Sequence, residues 1–524
     1  MNRWLIFIEQ KLKALRPLFK ALLSLVLGGL SALAMPPVDA WWIFGLTFPA
    51  FLVVIEGRSL RHSFLCGWLF GVGYFLGALN WIGFAFLVHA SDLWMMPFAV
   101  GGLAGFLALY WGLAAALTRA ICNKGIEVFW VAPICFAAME YLRGVLFSGF
   151  PWAVIGLAVD GMGGVAQLAY FIGMNGLTFL ILIWAAAPLL YLHGHRVWAA
   201  LVLLLLPLCW IYGDWRLTQS STQFVEGVNL RIVQPNISQD DQWRNTHARE
   251  IFDKLLSQSA EPSKNGKLIT HIIWPESIVP FLIDESPEGL AEVAKMLGPH
   301  RILLTGAVRR SAPSLTADYF TSVLVIDGNA KVIGHYDKSH LVPGGEFLPL
   351  AWLLEPLGFR QVISMPEGFR AGSGPESLAV PGAGLVGAQV CYEAIFPAET
   401  VDSQHRPNWL VNVTNDGWFG NSSEPWQHLA QLRLRAIEQG LAIARSTNSG
   451  ISTVFDPFGR SLFQSEKDVT GVFDVNLPRS IEPNVYTHYG DKVLLVMIIV
   501  FALVGLSVHK LRDFFSSIRL SLPN

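Results

Sequence analysis

Three short segments of this 524-residue chain carry side chains able to do covalent chemistry together. Cys391 lies in Ala388-Gln389-Val390-Cys391-Tyr392-Glu393, Glu276 in Ile273-Trp274-Pro275-Glu276-Ser277, and Lys338 in Tyr336-Asp337-Lys338-Ser339-His340-Leu341-Val342-Pro343. A thiol attacks as its thiolate, which needs a nearby base or positive charge. Glu276 can take the proton, and burial raises a carboxyl toward a useful range. Lys338 supplies a fixed cation for the oxyanion that forms when a carbonyl becomes tetrahedral, and the backbone N–H of Tyr392 is a second donor. Glu346 and Glu393 are nearby carboxylates that either orient Lys338 or share proton transfer. No spacing rule ties residues so far apart, and each has an ordinary alternative as a buried thiol or a surface charge.

Other chemistries find less support. There is no Gly-x-Ser-x-Gly elbow, and His271, His335 and His340 lack metal-ligand spacing, so no metal site is expected. Five cysteines, Cys66, Cys122, Cys135, Cys209 and Cys391, form neither a paired framework nor a CxxC motif. The formal net charge of −2 offers no basic face for nucleic acid.

The elements that must hold these residues are of two kinds. The chain is 53% hydrophobic and 15% charged, against roughly 25% charged in soluble domains, so part of it belongs in lipid. Apolar runs near 20–35, 41–57, 63–86, 93–118, 128–144, 165–192, 197–213 and 492–509 predict seven membrane helices before a polar block and one after it. Arg3, Lys11, Lys13, Arg16 and Lys20, then Arg58 and Arg61, Arg119 and Lys124, and Arg196 mark alternate loops, whereas 36–40 and 87–92 hold no Lys or Arg. The bias predicts a cytoplasmic N-terminus, an external polar block, and a basic tail (Lys510, Arg512, Arg519) back inside. Ala32-Leu33-Ala34 resembles a signal-peptide cleavage site, but its removal would leave the remaining topology unchanged. The expected domains are 1–213 in the membrane, 214–490 outside it, and 491–524 as a final span and tail.

Within the polar block, strands are expected at 228–233, 268–274, 301–306, 319–326, 332–336, 385–390, 409–413, 451–455 and 471–475, with helices at 247–258, 287–297 and 425–444. That alternation argues for a layered α/β domain. Glu276, Lys338, Cys391 and Asn415 fall at or just beyond strand ends, where such sheets gather functional groups.

At the Trp-Pro-Glu-Ser, Lys338 and Cys391-Tyr392-Glu393 segments the chain resembles the nitrilase, or carbon–nitrogen hydrolase, superfamily. With spans on both sides the likeness narrows to the bacterial apolipoprotein N-acyltransferases. Gly149-Phe150-Pro151-Trp152, Pro343-Gly344-Gly345-Glu346-Phe347-Leu348-Pro349, Asn415-Asp416-Gly417-Trp418-Phe419-Gly420, Pro425-Trp426-Gln427-His428 and Arg445-Ser446-Thr447-Asn448-Ser449-Gly450 look like further strings of that family. The resemblance implies an αββα sandwich on a polytopic α-helical membrane domain, in the inner membrane with its catalytic domain periplasmic. It implies catalytic Glu276, Lys338 and Cys391, support from Glu346, Tyr392 and Glu393, and substrate contact by Trp243. It implies a phospholipid acyl donor, an S-diacylglyceryl cysteine of an apolipoprotein as acceptor, and a thioester between them. Neither a metal nor ATP is implied, because the donor is already an ester. Two rivals are a membrane-tethered amidase acting on small amides and a non-catalytic membrane scaffold, the latter leaving a channel role open for Glu140 and Arg143.

Overall fold

The computed structural model describes all residues except 1, 89, 123–125, 239–246, 265, 314–316, 362–367 and 522–524. It divides into two compact units, one of Met1–Asn80, Phe98–Gln219 and Val485–Asn524, the other of Trp81–Pro97 and Ser220–Asn484.

The first unit is helical because its sequence is: Leu, Ala, Phe and Gly runs leave no polar face, and in lipid a helix satisfies its own backbone. Among the described residues, six helices are long and apolar enough to cross a membrane: Pro17–Ala34, Leu60–Leu87, Met96–Ile121, Glu127–Val145, Ile155–Leu192 and Arg196–Gln219. Trp41–Ile55 and Lys492–Val508 are shorter apolar helices. These eight follow the eight apolar runs, but two fall short of spanning length. Small residues set the packing: a Cβ on Gly28 would sit 1.9 Å from the Phe70 carbonyl oxygen, and one on Gly73 2.0 Å from that of Leu25. Phe51, Phe70 and Trp111 stack beside this crossing, and Phe136 meets Phe51 and Trp111 edge-on. Glu140 and Arg143 form a buried ion pair at 2.8 Å. Trp111 Nε1 also donates to Glu140 at 2.7 Å, and Arg143 donates to the Phe150 and Trp152 carbonyls. A pair so fully engaged within its own helical unit braces the Phe150–Trp152 turn.

The second unit is built on two six-stranded sheets. In one, β1 (Phe224–Gln234) lies parallel to β2 (His271–Trp274), which lies parallel to β3 (Ile302–Arg310). β4 (Tyr319–Ile326) and β5 (Val332–Asp337) continue this sheet antiparallel, and with β12 (Gly471–Pro478) beside β1 the order is β12-β1-β2-β3-β4-β5. In the other, β6 (Ser377–Val380) pairs antiparallel with β7 (Gly384–Val390). β7, β8 (Trp409–Thr414) and β9 (Ile443–Thr447) then run parallel. β10 (Thr453–Phe455) and β11 (Ser461–Gln464) close that edge, and β12 (Gly471–Pro478) returns to β1.

Side-chain alternation sorts these strands into layers. Ile273, Leu304, Val323, Val386, Val411, Val413 and Ala444 form one core shared by the two sheets. Their sequence neighbours Ile272, Trp274 and Leu303 turn outward to pack with Ile251, Phe252, Leu255 and Val293 of the helices Ala248–Ala260 and Pro287–Leu297. On the far side, Leu410 and Ile443 meet Leu429, Leu432 and Ala436 of helix Glu424–Gln439. The result is the expected αββα sandwich. The helix expected over 425–444 ends earlier, because Gly440 takes the left-handed conformation (φ +61°) as its C-terminal cap, and Ile443 starts β9. β6 and β11 were not expected from the sequence: each is a four-residue outer strand with exposed positions rather than a continuous apolar run.

Candidate active site

Four strands of this sandwich end at the same place. β2 ends at Trp274, and Pro275 carries the chain to Glu276. β5 delivers Lys338, β7 delivers Cys391, and β8 delivers Asn415. The close approach of β3 to the first of these turns requires glycine: a Cβ on Gly306 would lie 2.4 Å from the Glu276 Cα. Ser277 and Cys391 are both held at positive φ, +45° and +49°. Side chains other than glycine adopt that region at a cost of order 1–3 kcal/mol, and such residues cluster at active sites.

Glu276 is partly exposed, and its Oε2 accepts the Asn415 N–H at 2.9 Å. Its Oε1 is 3.9 Å from Lys338 Nζ. The buried Lys338 ammonium bonds Glu346 at 2.9 Å, and Glu346 also accepts the Val342 N–H at 2.8 Å. Burial opposes the Lys338 charge, but Glu346, Glu276 and Cys391 outweigh it and raise its pKa, so the ammonium persists. Burial raises the Glu276 carboxyl to about 7, with Glu346 adding to the rise and Lys338 and the Asn415 N–H restraining it. The Cys391 thiol is pushed well up by burial and by Glu276, with Lys338 pulling it down. A neutral thiol, a carboxylate ready to accept its proton and a permanent cation are thus assembled, which suits nucleophilic attack with general-base help.

Glu393 is buried, and burial raises its pKa against the bonds it accepts. Its Oε1 accepts from the Tyr336 hydroxyl at 2.6 Å, and from the Ser339 and His340 N–H groups at 2.7 and 3.2 Å. Its Oε2 accepts the Val390 N–H at 2.7 Å. Tyr392 is buried against His340 and Phe396, with ring centroids 5.8 and 5.1 Å away. Of the residues singled out in the sequence, Glu276, Lys338, Cys391, Glu346, Tyr392 and Glu393 are brought together, and Trp243 lies outside the described residues.

A second set of groups beneath Cys391 had no assigned role in the sequence, although it falls within the strings 415–420, 425–428 and 445–450. His428 Nε2 is 3.0 Å from the Cys391 carbonyl oxygen, and its Nδ1 is 3.3 Å from both Asp416 and Glu424. Arg445 donates to Asp416 at 2.7 Å and to Asn412 at 3.0 Å. All four ionisable side chains are buried. Asp416, Glu424 and His428 offer ligand atoms within 4.8 Å of one another, the one such cluster among the described residues. Arg445 already supplies a positive charge against Asp416, so the donor set does not call for an ion. The available signal was charged residues inside otherwise apolar helix and strand strings.

Residues 27–187 match the family described as "Apolipoprotein N-acyltransferase N-terminal domain", and residues 229–481 match "Carbon-nitrogen hydrolase". Among curated relatives, the apolipoprotein N-acyltransferase of Rhodopseudomonas palustris is 38% identical over 501 residues, 91% of this chain and 93% of its own. That of Bradyrhizobium diazoefficiens is 38% identical over 509 residues, 93% and 94% of the two chains. A solved amidase of the nitrilase superfamily from Nesterenkonia is 16% identical, covering 49% of this chain and 93% of its own, with a TM-score of 0.36.

Proposed function

The chain belongs to the apolipoprotein N-acyltransferases, a multi-pass membrane acyltransferase family, and from that premise we propose that Cys391 carries the acyl group between donor and acceptor in a two-step, ping-pong reaction. The donor is a phospholipid and the acceptor is the free α-amino group of an S-diacylglyceryl cysteine at the start of an apolipoprotein. The observation that carries the reading is the convergence of Glu276, Lys338 and Cys391 at three strand ends, with the ammonium 3.9 Å from the carboxylate.

In the first step Glu276 takes the thiol proton, and the thiolate attacks the ester carbonyl carbon. The carbonyl π pair moves to oxygen, where Lys338 and the Tyr392 N–H stabilise the charge. Collapse breaks the ester C–O bond, and the lysophospholipid oxygen leaves with the proton from Glu276. In the second step the neutral amine attacks the thioester and gives a proton to Glu276. The C–S bond breaks, an amide remains, and the thiolate recovers its proton. Lys338 keeps its charge throughout, as its bond to Glu346 favours.

The apolar segment after Glu346 suits substrates with long chains: Leu350, Trp352, Leu353 and Leu357 are exposed. We assign the membrane part to 1–213 and 491–524 and the catalytic part to 214–490. The basic loops then face the cytoplasm and the catalytic part the periplasm, beside the outer leaflet of the inner membrane, where both lipid-anchored substrates reside. Trp243 is assigned to substrate contact by family similarity.

Incubation of the full chain with phosphatidylethanolamine labelled in its acyl groups tests this reading. The expected product is an acyl group on wild-type protein that neutral hydroxylamine releases and that both Cys391→Ala and Cys391→Ser lack while still inserting in the membrane. Turnover preserved in Cys391→Ala would refute the mechanism. Hydrolysis of small amides without acyl transfer would favour an amidase, and neither activity would favour a scaffold.

A further inference from the structure

The buried His428 group touches the nucleophile's backbone and is left unused by the two steps above. A carbonyl oxygen only accepts, so His428 Nε2, 3.0 Å from the Cys391 oxygen, carries a hydrogen and donates it. The opposite nitrogen faces Asp416 and Glu424, each at 3.3 Å, with the Arg445 guanidinium 3.4 Å away. Arg445 is itself tied to Asp416, to Asn412 and to the Ile451 carbonyl, so the imidazole ring is fixed on both edges. These partners come from the turn after β8, helix Glu424–Gln439 and β9.

A trans peptide is planar, with its C=O and the following N–H on opposite edges. Whatever holds the Cys391 oxygen therefore sets the direction of the Tyr392 N–H. Cys391 needs such a restraint, because φ +49° is a conformation its side chain disfavours. We propose that His428 is a positioning residue for acyl transfer: by donating from Nε2 to the Cys391 carbonyl it fixes the Cys391–Tyr392 peptide plane and so orients the Tyr392 N–H that receives the oxyanion. The neighbouring carboxylates favour protonation of the donating imidazole, since their bonds outweigh the burial and the Arg445 charge that oppose it and leave its pKa raised. A charged donor also polarises the peptide and strengthens the N–H at its far edge.

The inference rests on the thioester reading, and its test separates the two. A reaction that passes through an oxyanion is compared with one that does not, on the same sulfur. Full-length protein in phospholipid vesicles is assayed for thioester formation from acyl-labelled phosphatidylethanolamine. In parallel, alkylation of Cys391 by iodoacetamide, a displacement at saturated carbon, is followed by mass spectrometry of its peptide. For His428→Leu the expected result is thioester formation slowed on the order of 10²-fold, the effect of misplacing one catalytic group, with alkylation within about threefold of wild type as no oxyanion forms. His428→Gln, whose amide nitrogen reaches the place of Nε2, should recover more than tenfold over His428→Asn, whose amide stops near Nδ1. Thioester formation at the wild-type rate in His428→Leu, or an equal fall in both reactions, would overturn the proposal. If His428→Leu does not fold, equal rates for the Gln and Asn variants overturn it in its place. Absence of a thioester on wild type fails the underlying reading, a result no His428 variant can produce.

Discussion

Glu393 holds Ser339 at 2.7 Å through that residue's backbone N–H, and with its other oxygen holds Val390 N–H at the same distance. One carboxylate thus joins the residue after Lys338 to the residue before Cys391. The two bonds tie the end of β5 to the end of β7. Glu393→Gln replaces one acceptor oxygen with a donor that faces an N–H. Charged hydrogen bonds contribute about 1.5–3 kcal/mol each, and a buried unmet donor costs a further 1–3 kcal/mol. We expect Glu393→Gln to lower the thermal unfolding temperature measurably and to slow acyl transfer, with Glu393→Asp intermediate. Unchanged unfolding would remove the tie from the argument.

On the proposed mechanism, ionisation of Glu276 sets the acid limb of the reaction. Its carboxyl is raised by burial to about 7, so thioester formation should fall tenfold per pH unit below about 7 and level off above it. The same shift sets a stability trend in the opposite sense. The folded state holds the proton that the unfolded chain has already released between its ordinary pKa of 4.5 and 7, so wild-type stability declines as pH rises through that window. Glu276→Gln removes the ionisation. It should be inactive, yet more stable than wild type at pH 8 by on the order of 1–3 kcal/mol and nearly equal to it at pH 4.5. Unfolding followed by tryptophan fluorescence at the two pH values checks this, and a variant less stable at pH 8 would contradict it.

Glu346 is the nearest carboxylate to Lys338, at 2.9 Å against 3.9 Å for Glu276. Removing one member of a buried pair typically costs about 3–5 kcal/mol. Glu346→Gln should show most of that loss. It also withdraws a negative charge that raises the Glu276 pKa, so the acid limb of the remaining activity should move to lower pH. A limb that stays in place would show that Glu276 does not sense Glu346.

Gly306 offers a test with no titratable group. Alanine there brings a Cβ within 2.4 Å of the Glu276 Cα, a backbone atom that no rotamer change can clear. Gly306→Ala should cut the rate of thioester formation by at least tenfold while the pH limb stays near about 7, because displacement rather than ionisation is at fault. Wild-type kinetics would mean that the β2 turn yields freely.

Hydropathy carried much of this architecture into plain view. Eight apolar runs, the β-rich strings of the sandwich, and three candidate residues at strand ends are local patterns, written in consecutive residues that a linear reading can find. The end of helix Glu424–Gln439 was hidden because Leu441-Ala442-Ile443-Ala444 continues its apolar character, and only the left-handed turn at Gly440 separates helix from β9. The pairing of Lys338 with Glu346, the tie through Glu393 and the seating of His428 beneath Cys391 were decided by the fold. These are relations among side chains up to tens of residues apart, and their energies come from burial and mutual distance. Composition and spacing contain neither quantity until the two sheets close on one another.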